Sequence, residues 1–155
     1  MSGYHSNTDR SGAAGESWVA YALGVNDFDV GQMIGQKAQS TDLLVSKEGD
    51  LWRIEVKSCS QGRTQGEYWI QNPIINDPNL VYAFVFFDTK KFKKTLKSPP
   101  KLFLVKSSEL KKLKKRKENG KWIIPHKGNF WFEKKDVYSN HKDNWGVFTK
   151  KKTTY

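Results

Sequence analysis

The 155-residue chain has one cysteine, no long apolar run and no leader-like start. A lone Cys59 excludes an intramolecular disulfide and a cysteine-built zinc framework. Its ordinary use is as a small buried side chain. No stretch approaches the length of a membrane span. Met1-Ser2-Gly3-Tyr4-His5 lacks the basic and apolar regions of a signal peptide, so an intracellular, cytoplasmic protein is expected. Histidine is scarce as well: His126 and His141 have no ligand spacing, which predicts surface or capping roles instead of a metal pair. No internal repeat and no second domain is visible. A single domain with a modest core is expected over residues 11–149, after a flexible N-terminus (1–10) and before a frayed basic tail (150–155). The composition, 37% hydrophobic and 14% aromatic, is globular.

What the chain has in excess is positive charge, and it is unevenly spread. Met1 to Thr89 holds six basic and eleven acidic residues, a net of −5, whereas Lys90 to Tyr155 holds 21 basic and five acidic, a net of +16; the whole is +11. A basic surface of this kind attracts polyanions with strong salt dependence and little sequence preference. The densest run, Ser107 to Gly120, reads as a short helix: Ser107 or Ser108 as cap, Glu109 in the first turn, Gly120 as terminator. Its Lys111, Lys112, Lys114, Lys115, Arg116 and Lys117 are candidate nucleic-acid contacts, the ordinary alternative being a solvated cationic face.

The most informative segments are Thr41-Asp42-Leu43-Leu44-Val45 and Leu51-Trp52-Arg53-Ile54-Glu55-Val56-Lys57. They should pair as a hairpin through Lys47-Glu48-Gly49-Asp50, with Gly49 supplying a positive φ. With Glu48 and Gly49 as a two-residue loop, Val45 meets Trp52 and Leu43 meets Ile54. One face then reads Leu43, Val45, Trp52, Ile54, Val56, and the other Asp42, Leu44, Ser46, Leu51, Arg53, Glu55, Lys57. A one-residue slip would scramble this segregation. The register sets Asp42 opposite Glu55, where like charges destabilise a sheet unless something positive lies between them.

A divalent cation would resolve that conflict. Clustered carboxylate oxygens suit Mg²⁺, with Mn²⁺ as a substitute. Lys57, on the same side as Glu55, can orient an attacking water or stabilise a charged transition state. A solvated Glu-Lys pair is the ordinary alternative. Glu16 lies in a helix expected over Ser11 to Leu23 and shares a face with Val19, Ala20 and Leu23. A carboxylate on such a stripe needs a partner, either the helix dipole or the cluster.

Glu16 on a helix, Asp42 on a strand, a short turn and Glu55-Val56-Lys57 on the next strand resemble the PD-(D/E)XK nuclease superfamily, the restriction-endonuclease-like fold, and its small Holliday-junction-resolvase-like members. The resemblance covers Ser11 to Ser60. It implies an α/β fold, a mixed β-sheet flanked by helices in the order αβββαβ. It also implies metal ligation by Asp42 and Glu55 with help from Glu16, and a catalytic Lys57. Thr41 stands where the motif nominally has proline.

Beyond the hairpin, Ser58 to Trp69 reads as a loop entering a helix, with Arg63 available to substrate. Asp77-Pro78-Asn79 is a turn, and Leu80 to Phe87 a strand buried on both faces. A break at Lys97 to Pro100 precedes a strand at Leu102 to Val105. Trp122, Trp131, Phe132, Tyr138, Trp145 and Phe148 either pack a core or stack on bases. The expected activity is Mg²⁺-dependent phosphodiester hydrolysis, in DNA before RNA, structure-directed or loosely specific, with a homodimer allowed and no membrane partner. The alternatives are a non-catalytic nucleic-acid-binding protein of the same fold and a basic component of a ribonucleoprotein.

Overall fold

A computed structural model describes residues 7–33, 41–60, 67–71, 76–87, 89–90, 93–96, 98–110, 116–118, 121–125 and 141–149. Helix α1, Asn7–Gly24, buries Val19, Ala22 and Leu23, the i, i+3, i+4 stripe of a helix lying on a core. It ends because Asp27 adopts φ 64°. The Phe28 N–H then reaches the Leu23 carbonyl at 3.2 Å and the Asp27 N–H the Gly24 carbonyl at 3.1 Å, the paired bonds of a Schellman cap. Phe28, next in the chain, drops into the core beside Leu23. Lys47 locks this corner: its Nζ donates to the Asn26 carbonyl at 2.8 Å and lies 4.9 Å from the centre of the Phe28 ring.

The strands follow in chain order: β1 Asp29–Gln32, β2 Leu43–Lys47, β3 Asp50–Ser60, β4 Glu67–Gln71, β5 Leu80–Phe87, β6 Thr89–Lys90, β7 Lys93–Leu96, β8 Lys101–Lys106, β9 Arg116–Glu118 and β10 Lys121–Pro125. The main sheet has the order β1-β2-β3-β5-β8. It is mixed: β3 and β5 run parallel, the other neighbours antiparallel. The expected hairpin register holds, with Leu43 against Ile54, Val45 against Trp52 and Lys47 against Asp50. Glu48 (φ 52°) and Gly49 (φ 84°) form its two-residue turn, whose twist matches that of the strands.

One face of the sheet, with Leu43, Val45, Ile54, Val56, Val81, Ala83 and Val85, packs under α1. The alternate residues of β5, Leu80, Tyr82, Phe84 and Phe86, are buried on the other face with Phe103 and Val105. Tyr82 and Phe84 stack there with ring centres 6.2 Å apart. The expectation of a doubly buried β5 is met, as is that of the strand at β8.

Three expectations are corrected, and one strand had not been foreseen. Where a helix was expected before β5, Glu67–Gln71 is a strand paired antiparallel with β10. Of the helix expected over Ser107 to Gly120, Ser107–Glu109 is a 3₁₀ turn leading into a helical Leu110, residues 111–115 lie outside the described residues, and Arg116–Glu118 is instead the strand β9, paired with β10. Long-range pairing overrides local helix propensity in both. His141, expected in a surface or capping role, is not at the surface but buried, because its segment docks on β8. The Asp143 N–H donates to the Leu102 carbonyl at 2.9 Å, and Phe103 bridges Lys142. Finally, β1 was not anticipated, since Asp29-Val30-Gly31-Gln32 has little strand propensity; it forms by pairing with β2.

The docked segment answers part of the aromatic question. Phe148 lies 4.8 Å from Phe28 and 5.4 Å from Trp52, ring centre to ring centre, and Trp145 stacks on Phe148 at 6.2 Å. Both pack the core. Trp131, Phe132, Tyr138 and His126 lie outside the described residues, as do residues 1–6 and 150–155. Among the described residues no helix is long and apolar enough to cross a membrane.

Candidate active site

The site is built where β2 and β3 part. Their ladder ends at Leu43 and Ile54, and one residue further Asp42 leaves the regular pattern. The Asp42 N–H donates to the Ile54 carbonyl at 2.8 Å, while the Asp42 carbonyl accepts from Met33 N–H at 3.2 Å. The carboxylate turns into the opening between the strands, where Oδ2 accepts the Val56 N–H at 2.7 Å. Asp42 is 9% exposed. A buried carboxylate demands such partners, and this one is held at one residue's remove from Glu55.

Glu55 and Lys57 project from the outer face of β3, two residues apart. Lys57 Nζ donates to Glu55 Oε1 at 2.6 Å, with the side chains 28% and 14% exposed respectively. In the parallel ladder Glu55 is level with Tyr82 and Lys57 with Phe84, so the ion pair stands at the border of the buried aromatic layer. Low local polarity strengthens the attraction between the two charges and raises the cost of leaving either alone. The Val56 amide and the Lys57 ammonium thus partner the Asp42 and Glu55 carboxylates respectively.

Glu16 lies on α1, which packs on the Val56 face of β3. The helix crosses β3 most closely at Gly15, where an added Cβ would lie 2.7 Å from Ser58 Cβ, 2.9 Å from Ser58 Oγ and 3.5 Å from Val56 Cγ1. This contact brings the turn carrying Glu16 onto the stretch of β3 that flanks Lys57. Glu16 is half-buried. Among the described residues no three acidic, histidine or cysteine side chains form a group able to hold a metal ion. Of the expected nucleic-acid contacts, Arg63, Lys111, Lys112, Lys114 and Lys115 lie outside the described residues.

Three features of the site escaped sequence reasoning. The Gly15 crossing had a signal in the small-residue run Ala13-Ala14-Gly15. Tyr82 and Phe84 were legible as buried, yet their alignment with Glu55 and Lys57 needed the parallel register. The third is a polar knot that fixes the entry of β5. Asp77 Oδ2 pairs with Arg53 Nη2, Asp77 Oδ1 accepts the Asn79 N–H at 2.7 Å, and Ser107 Oγ donates to the Asp77 carbonyl at 2.7 Å. The Asn79 amide foremost, aided by the Arg53 guanidinium, holds the Asp77 carboxyl below the usual carboxylate range against the opposing effect of burial. Arg53 shares the outer row of β3 with Glu55, so the knot also fixes the strand that carries the site.

No known protein-family profile matches the chain, and no curated protein does. Among solved structures it is similar to a bacterial homing endonuclease, I-Ssp6803I, with 13% identity, a TM-score of 0.54 and coverage of 91% of both chains. At that identity the likeness is one of fold, and the mixed five-stranded sheet with its helix matches a nuclease-like α/β core.

Proposed function

We propose that the chain is a divalent-cation-dependent nuclease of the PD-(D/E)XK kind, hydrolysing phosphodiester bonds in DNA with structure-directed or loose sequence specificity. The observation that carries the reading is the fork of β2 and β3, where Asp42 is anchored on the Val56 N–H at 2.7 Å and Glu55 on Lys57 Nζ at 2.6 Å. A buried carboxylate and a half-buried one that carries an ammonium suit phosphoryl chemistry. The fold likeness to an endonuclease over 91% of the chain supports it.

The donor set fits a hard cation: Asp42 and Glu55 would hold Mg²⁺ or Mn²⁺. When bound, the ion supplies Lewis acidity toward the phosphate and favours deprotonation of water. The chain's own residues do the rest. The Val56 amide fixes the direction of the Asp42 carboxylate, and Tyr82 and Phe84 exclude water from one side of the Glu55–Lys57 pair. Lys57 donates hydrogen bonds toward negative charge developing on the phosphorus oxygens. The basic half of the chain, net +16 from Lys90 onward, recruits the polyanion.

The test is cleavage of linear, supercoiled and branched DNA with Mg²⁺, Mn²⁺ or EDTA. Cation-dependent cleavage is expected, with Lys57→Ala and Asp42→Asn each losing about a hundredfold or more in kcat. Unchanged rates in either variant overturn the assignment. The Lys57–Glu55 ion pair, which neutralises the site internally, favours a second reading: a nucleic-acid-binding protein of the same fold without chemistry. That protein binds DNA with steep salt dependence and never hydrolyses it.

A further inference from the structure

Two demands meet on Lys57. The nuclease reading needs its ammonium directed at phosphate oxygens, yet in the structure Nζ donates to Glu55 Oε1 at 2.6 Å. Both side chains are sheltered, Lys57 being 28% and Glu55 14% exposed, and Tyr82 and Phe84 stand level with them in the β5 register. An ion pair in such surroundings is stronger than one in open water, because solvent screens it less.

The same carboxylate is one of the two that would hold a divalent cation. Magnesium sits about 2.1 Å from a carboxylate oxygen, so a cation on Glu55 and an ammonium on its Oε1 would stand within about 7 Å of each other. Like charges at that separation repel, and more strongly here than in bulk water. Lys57 has a way out of the conflict. Its ammonium rides on a flexible four-carbon stem, so a change of rotamer carries Nζ away from Glu55 without moving β3.

Resting on the nuclease reading, we infer that the Glu55–Lys57 pair is a cation-sensitive latch. In the cation-free protein Lys57 serves as the counter-charge of Glu55, and it turns toward the phosphate only when a divalent cation takes over that carboxylate. No covalent bond changes and no proton moves; one positive charge replaces another. Recruitment of DNA by the basic surface and readiness of Lys57 for hydrolysis are then separate events. The ion pair that favours a protein without chemistry becomes the resting state of one that has it.

The experiment is calorimetric titration of the DNA-free protein with Mn²⁺, comparing wild type with Lys57→Met, Lys57→Arg and Lys142→Met. Lys57→Met removes the competing charge and should bind Mn²⁺ about three- to thirtyfold more tightly, the range for loss of a partly sheltered ion pair. Lys57→Arg keeps the charge and should stay within about threefold of wild type. Lys142 is an exposed lysine on the segment docked against β8; its methionine variant controls for net charge and should bind as wild type does. On a Glu55→Gln background, where the contested carboxylate is gone, Lys57→Met should bring no gain. The latch is overturned by a Lys57→Met protein that binds Mn²⁺ no more tightly than wild type, by an arginine or Lys142→Met variant that gains as much, or by a gain that persists on Glu55→Gln. If the wild type binds Mn²⁺ and cleaves DNA while one of those results appears, the latch alone is wrong. If the wild type neither binds Mn²⁺ nor cleaves, the nuclease reading falls and takes the latch with it.

Discussion

Replacing Gly15 by alanine sets two known effects against each other at the point where α1 meets β3. Alanine favours the helix over glycine by about 1 kcal/mol. The new Cβ, however, would sit 2.7 Å from Ser58 Cβ and 2.9 Å from its Oγ, where ordinary contacts are about 3.5–4 Å. Neither atom is the end of a long flexible side chain, so α1 has to retreat by about 1 Å. Overpacking of this kind costs about 1–3 kcal/mol, which outweighs the propensity gain and leaves Gly15→Ala destabilising by up to about 2 kcal/mol. Gly12 supplies the control: it lies in the same helix with nothing within 4 Å of its added Cβ, so Gly12→Ala should stabilise by about 0.5–1 kcal/mol. Urea melts of both variants, with a Gly15→Ala/Ser58→Gly cycle to isolate the contact, give the comparison. The same retreat moves Glu16 relative to Asp42 and Glu55, so kcat of Gly15→Ala should fall while that of Gly12→Ala does not. A Gly15→Ala protein as stabilised as Gly12→Ala would refute the close crossing.

Two further outcomes follow from packing and charge. Phe148→Ala should cost about 3–5 kcal/mol in denaturant melts, since the ring is buried 4.8 Å from Phe28 and 5.4 Å from Trp52; intact stability with weakened binding to single-stranded DNA would instead mark Phe148 as a stacking residue. Asp77 has its carboxyl held below the ordinary range, so its contribution to stability is complete above the unfolded-state pKa of about 4 and is lost as pH falls through the lower folded value. Melting temperatures followed from about pH 6 to pH 3 should therefore drop more steeply in the wild type than in Asp77→Asn, and parallel curves would remove Asp77 from the acid response.

The contrast between what the sequence made legible and what it did not follows the range of the interactions involved. The β2–β3 register could be read because alternation with period two and a positive-φ residue at Gly49 constrain it within 15 residues, and β5 because eight apolar residues in a row leave no solvent face. The strands β4 and β9 could not be read from their own residues, since the choice between helix and strand was made by β10: Glu67 pairs with Pro125 and Glu118 with Lys121. One local clue was misassigned. Asn119-Gly120, the dipeptide between the paired Glu118 and Lys121, is the strongest short hairpin signal in a sequence, yet a glycine after a lysine run also matches a helix terminator. The same division applies to the site. The spacing Asp42, Glu55, Lys57 is local to one hairpin and was legible as a cluster. The partners that determine its electrostatics, the Val56 amide, the aromatic wall of β5 and the Gly15 crossing, depend on a bent strand end and a parallel register that no local pattern encodes. The Val56 amide lowers the cost of burying Asp42 and the Lys57 ammonium that of burying Glu55, while the aromatic wall and the Gly15 crossing fix the elements that carry them.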